Sequence, residues 1–185
     1  MSPTNFRNRM NNNIETYFEK YKSLRTEIDN DSKNLSLEHS KHMKCKKGCD
    51  LCCMDYSIFP IEFYSILNDF KEKNVNTGSS HTEEENVCVF LINHVCSIYE
   101  QRPIICRTHG LPLLYMNDNS EWELSACELN FTEFNFNEFT IENTLSQDKI
   151  NSKLFMLNKE FIADFQDKRY SEMDLIPIKE FLNKK

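Results

Sequence analysis

From Met10 to Ile28 the apolar positions recur at three- and four-residue steps: Met10, Ile14, Tyr17, Phe18, Tyr21, Leu24 and Ile28. That period puts them on one face of a helix, so an amphipathic helix is expected to open the chain. A polar stretch from Asp29 to Ser36 interrupts the pattern, and LSLEHSKHMK predicts a second, short helix after it. Further on, MDYSIF reads as β, and Pro60 suits the first position of a helix continued by Ile61, Tyr64, Leu67 and Phe70. Lys71 to Asn86, with NTGSS and Glu83-Glu84-Glu85, reads as a solvated loop.

The middle of the chain changes period. CVFLINHVCSIY, residues 88–99, is rich in β-branched and aromatic side chains and predicts a short hairpin about Asn93-His94, with Cys88 and Cys96 on paired strands. Pro103 predicts a helical turn that presents Cys106 and ends at Gly110. Beyond Trp122 and Cys127, Phe139 to Phe165 predicts one or two helices whose Leu154, Leu157, Phe161 and Phe165 are core. No internal repeat or linker is evident. The expectation is a single α+β domain over residues 1–185, mainly helical, with a short β-hairpin and an irregular cysteine-rich centre. N-terminal helices (about 8–43) and C-terminal helices (about 131–183) flank a metal-binding core at 45–127.

Composition narrows the function classes. With 39% hydrophobic and 28% charged residues the 185-residue chain is globular, and three glycines and five prolines suit helix over tight turns. A net charge of −7 argues against binding a phosphate backbone, so no nucleic-acid partner is expected. No run approaches the roughly 20 apolar residues of a membrane span, and the asparagine-rich start lacks the apolar stretch of an export signal. The expected location is cytoplasmic, where thiols stay reduced, and no membrane partner is expected.

Eight cysteines then carry the chemistry. Four of them, Cys45, Cys49, Cys52 and Cys53, lie within KCKKGCDLCC; the others are Cys88, Cys96, Cys106 and Cys127. Clustered thiolates bind zinc or iron with little loop-closure cost, and all eight are candidate metal ligands. Adjacent residues aim their side chains apart, so Cys52 and Cys53 are not equivalent: one serves the main site, the other a second site or the core. Lys41, Lys44, Lys46 and Lys47 would offset an anionic thiolate site, or simply solubilise a surface loop. His42 and His109, each three residues from a cysteine, could ligate or hydrogen-bond a sulfur, whereas His94 suits a hairpin tip and His39 and His81 suit nothing specific. Arg102 and Arg107 could brace the Cys106 loop against Glu100 and helix-end carbonyls, or bind an anion. Four disulfides, buried free thiols, and the C-x3-C-x2-C spacing of radical S-adenosylmethionine enzymes are the alternatives.

KCKKGCDLCC together with CVFLINHVCSIYEQRPIICR resembles the YkgJ-type cysteine-cluster family, the zinc- or iron-chelating proteins with a CxxxCxxCC motif. The second motif matches at Cys88, Phe90, Leu91, Cys96, Ile98, Tyr99, Glu100, Arg102, Pro103, Cys106 and Arg107, and Cys127 is a looser match to a later cysteine. The resemblance implies metal binding by these cysteines. A related pattern occurs in the longer flagellin lysine N-methylases, with an iron–sulfur cluster and methyl transfer from S-adenosylmethionine. The expected cofactor is therefore an iron–sulfur cluster (4Fe-4S) or zinc, with the compact supply of thiols leaning to the cluster. Two functions follow: a metal-binding module, structural or involved in iron or zinc handling, for which a protein is a further candidate partner beside the metal, or a metal-cluster-dependent enzyme such as an S-adenosylmethionine-dependent protein lysine methyltransferase.

Overall fold

The computed structural model describes residues 3–46, 48–73, 86–165 and 169–183. The first element is one helix, α1 (Pro3–Glu38), where the sequence suggested two separated by a polar break. Between Asp29 and Glu38 there is neither proline nor glycine, and the buried stripe runs on through the supposed break. Phe18, Tyr21, Leu24, Ile28, Ser32, Leu35 and, just past the helix, His39 follow one another at three- and four-residue steps, all buried. Asn30, Asp31, Lys33 and Asn34 occupy the outer, exposed face.

Helix α2 (Pro60–Lys73) begins at Pro60 as its sequence predicts, and the short α3 (Ile104–Thr108) follows Pro103. Helix α4 (Gln147–Asp164) is N-capped by Ser146, whose side chain accepts from the Lys149 N–H. All three pack on α1 or on one another, with Ile61, Phe63, Ile66, Phe90, Phe161 and Ile178 in the interior. Phe63 stacks on Phe181 at 4.1 Å between ring centroids, and Phe90 packs against Phe70 and Phe181. NTGSS, the acidic triplet and His81 lie outside the described residues.

Two buried polar side chains tie the helix starts together. Asn158 of α4 accepts from the Ile61 N–H at 3.2 Å and donates to the Glu172 carbonyl at 2.9 Å. Glu62 of α2 accepts from the Tyr21 hydroxyl and the Ile104 N–H, each at 3.0 Å, so one carboxyl joins α1, α2 and the first turn of α3. These N–H groups have no partner within their own helices, which is why side chains are needed there.

The strands are short. β1 (Ser57–Ile58) pairs antiparallel with β7 (Ile176–Pro177). β2 (Leu91–Ile92) and β3 (Val95–Cys96) make the predicted hairpin, with Asn93 and His94 both at positive φ, the backbone that a two-residue turn of this kind requires. Cys88 precedes β2 and lies in a turn, so only Cys96 of the expected pair is on a strand. A further hairpin, β4 (Leu113–Met116) with β5 (Trp122–Ser125), joins β6 (Leu145–Ser146), which runs parallel to β4. Among the described residues, no helix is long and apolar enough to cross a membrane.

Candidate metal centre

The cysteine loop is held by its own turns and by two distant segments. Cys49 N–H donates to the Lys46 carbonyl at 2.9 Å and Cys53 N–H to that of Asp50 at 2.8 Å, which winds the loop about its thiols. Gly48 takes φ +93° within this turn. Asn130, buried, then fastens the start of the loop: its Oδ1 accepts from the Lys44 N–H at 2.7 Å, while its Nδ2 donates to the Gly110 carbonyl at 2.7 Å and lies 3.3 Å from Cys45 Sγ. Gly110, just beyond α3 at φ +89°, sits so close that an added Cβ would stand 2.9 Å from Cys45 Sγ and 3.2 Å from Asn130 Nδ2.

Cys45, Cys49 and Cys52 of the loop and Cys127, two residues past β5, line one cavity of about 260 Å³. His109 and Gly110 contribute to its wall, with Leu51, Leu111 and Leu113 as its apolar part. His109 tilts against Tyr56 at 5.1 Å between ring centroids. Its Nε2 is buried without a hydrogen-bond partner, and burial lowers its pKa, so it faces its surroundings as a neutral imidazole.

The remaining four cysteines are gathered by backbone pairing on the other side of the loop. Residues 53–55 run antiparallel to 86–88: Cys88 N–H donates to the Cys53 carbonyl at 3.0 Å, Asp55 N–H to that of Asn86 at 3.1 Å, and Met54 bridges to Val87. Leu91 N–H donates back to the Cys88 carbonyl at 2.9 Å, and Leu91 is paired with Cys96, which brings Cys88 and Cys96 to one end of the hairpin. Helix α3 delivers Cys106, whose thiol has Cys88 and Cys96 as electrostatic neighbours.

All eight thiols are free of disulfides, and burial sets the electrostatics of most of the inner ones. Burial, then repulsion from neighbouring thiols, pushes Cys106 well up, and burial likewise raises Cys88 and Cys96. Cys45 is raised by burial against the opposing hydrogen bond from Asn130. The Cys53 thiol donates to Cys52, holding Cys53 up and bringing Cys52 down to about 6. A coordinated metal reverses this order, because a ligating thiol is deprotonated outright. Among the described residues, no three or more His, Cys, Asp and Glu side chains converge as a ready-made site for a metal ion. Four thiols line the outer cavity, with His109 in its wall, and this donor set fits a thiophilic metal group.

Of the other residues singled out in the sequence, His42 packs on Phe134 at 4.8 Å and on Phe131, outside the cavity wall. His94 forms the hairpin tip and bonds Asp50 Oδ2 through Nδ1 at 2.7 Å. His39 has a specific place after all: it is buried among Phe131, Phe134 and Phe139, and its Nε2 meets the Asn143 carbonyl at 2.8 Å. Arg107 donates to the carbonyls of Arg102 at 2.8 Å and Glu100 at 2.7 Å and pairs with Asp29 of α1. Arg102 donates to the Tyr99 carbonyl at 2.7 Å, so both arginines brace the turn that carries Cys106. Asn130 was not found by sequence reasoning. It follows Cys127 by three residues in a stretch without periodicity, and nothing local marks it as the clasp of a loop 85 residues away.

Residues 44–128 match the family model CxxCxxCC, described as "Putative zinc- or iron-chelating domain". No curated protein and no solved structure matches the chain.

Proposed function

We propose, from the match of residues 44–128 to the CxxCxxCC family model, that this chain binds metal and that its cysteine thiolates hold it as an iron–sulfur cluster of the 4Fe-4S type. Cys45, Cys49, Cys52, Cys53, Cys88, Cys96, Cys106 and Cys127 are the candidate ligands, of which one such cluster takes four, and residues 45–127 are the metal-binding core of one domain. The observation that carries this reading is the cavity walled by Cys45, Cys49, Cys52 and Cys127. A single zinc ion draws four sulfurs to about 2.3 Å from one point. Thiols spaced around about 260 Å³ suit a larger, polynuclear group better. The same volume is below the roughly 300–1,000 Å³ usual for small-molecule pockets, which favours a cluster over a nucleoside cofactor as the occupant.

When bound, such a cluster supplies electron storage and neutralises the thiolates around it. The chain's own residues do the rest. Asn130 donates toward Cys45 Sγ, a contact that stabilises the thiolate and tunes a potential. His109 forms part of the cavity wall, and the leucines keep part of that wall dry. The free thiols suit a reducing, cytoplasmic setting, and a protein is the partner class that fits an acidic chain with an open site.

Iron, zinc and acid-labile sulfide are measured on protein purified without oxygen, together with the visible spectrum. Iron with matching sulfide and a broad visible absorption is expected. Colourless protein carrying stoichiometric zinc would overturn the cluster assignment.

A further inference from the structure

We infer that the eight cysteines form two adjacent metal centres, divided between Cys52 and Cys53: an open outer centre of Cys45, Cys49, Cys52 and Cys127, and an inner centre of Cys53, Cys88, Cys96 and Cys106. The inference rests on the metal-binding reading above and adds to it the number, composition and roles of the sites.

Backbone geometry separates the two quartets. Cys53 is committed to the antiparallel pairing with residues 86–88, since its carbonyl accepts from Cys88 N–H at 3.0 Å. Cys88 is in turn folded onto the hairpin that carries Cys96. Cys52, one residue earlier, lines the cavity with Cys45, Cys49 and Cys127 instead, and none of the other four cysteines lines that cavity. Thiol proximity follows the same grouping away from the boundary: Cys45 has Cys127, Cys49 and Cys52 as its thiol neighbours, and Cys106 has Cys88 and Cys96 ahead of Cys52. At the boundary Cys52 meets Cys53, so the two quartets touch there. Each quartet combines donors from the loop with donors from later in the chain: three and one outside, one and three inside.

The two centres differ in access. Cys45 and Cys52 are exposed, Cys49 and Cys127 are half-buried, and His109 contributes to the wall of the outer cavity. The inner cysteines are all half-buried, two of them at a hairpin clamped by Phe90, which is fully buried. The inner centre therefore fastens the loop to the hairpin and α3, and the outer centre is the one that exchanges metal or meets a partner. Because Cys52 and Cys53 are consecutive, with Cα atoms about 3.8 Å apart, the centres are immediate neighbours.

The test counts metal per chain by native mass spectrometry, in the anaerobically purified parent and in Cys127→Ser and Cys49→Ser, alongside a chelator titration of the parent. Two separable steps of metal loss are expected from the parent, with the first leaving the fold intact by circular dichroism. Each outer variant should keep half the parental metal. Loss of all metal in one step, or full parental metal in both variants, would overturn the division while leaving metal binding in place. A parent that takes up neither zinc nor iron would overturn the metal-binding reading itself.

Discussion

At the scale of single residues, the outer cysteines depend on two residues that carry no metal chemistry, Gly110 and Asn130. Gly110 is at φ +89°, where an L residue costs about 1–2 kcal/mol, and its missing Cβ leaves the space in which Cys45 Sγ and Asn130 Nδ2 meet. Gly110→Ala adds both strain and a contact at 2.9 Å with the sulfur. The variant is expected to fold with a stability loss of at least about 1–2 kcal/mol and with metal content reduced at the outer centre. Denaturant unfolding and metal analysis check this, and a variant with parental metal and stability would show that the glycine is incidental. The sequence marked Gly110 as the end of a helical turn, which it is. Its role against Cys45 was invisible there, because it depends on a contact between residues 65 positions apart.

At the scale of elements, Glu62 carries the coupling between the helical layer and the site. Glu62 is 3% exposed, and its carboxyl joins Tyr21 of α1 to the first N–H of α3 and so fixes the turn that presents Cys106. Burial raises its pKa, against the hydrogen bonds from Ile104 and Tyr21 and the charge of Arg107, all of which lower it. In the window from the ordinary glutamate range up to that raised value, the folded protein keeps a proton that the unfolded chain has lost. Stability is therefore complete below the window and falls as pH rises through it. Glu62→Gln retains an oxygen acceptor and cannot ionise, so its stability should vary less with pH across this window and at neutral pH equal or exceed the parent's. Glu62→Ala strands two buried donors, at a cost of about 1–3 kcal/mol each. Urea melts of both variants from pH 4 to 8 distinguish the cases, since a glutamine variant as weak as the alanine one would mean that the charge itself holds the helices. The periodic spacing of α2 was legible in the sequence, but a glutamate on its buried face was not, because only the arrival of α3 gives it a partner.

At the scale of the whole molecule, local pattern and long-range assembly separate in the same way. Helix stripes, the Asn93-His94 turn and the cysteine motifs are written at short range and could be read. The continuity of α1, the β4–β5 hairpin and the sorting of the thiols depend on segments meeting across the chain. Asn130 reaching Cys45 and residues 86–88 reaching Cys53 are such meetings. The same long-range closures predict how metal and stability are linked. Among the described residues, the segment from Lys44 to Tyr56 is held by its own tight turns, the short 53–55 pairing, the Asn130 clasp and bonds from His94, Ile178 and Lys179, whereas α1, α2 and α4 share an apolar core that contains no cysteine among its fully buried members. A metal that binds the folded protein alone stabilises it by mass action, by about 2.7 kcal/mol at a hundredfold excess over its dissociation constant. That stabilisation should fall on the central segment first. Stripping metal is thus expected to lower the melting temperature and to raise amide exchange in residues 44–56 and 86–110, while α4 stays protected until global unfolding. Hydrogen exchange with and without chelator reads this directly, and uniform deprotection of α4 together with the loop would mean that metal and helical core form one cooperative unit.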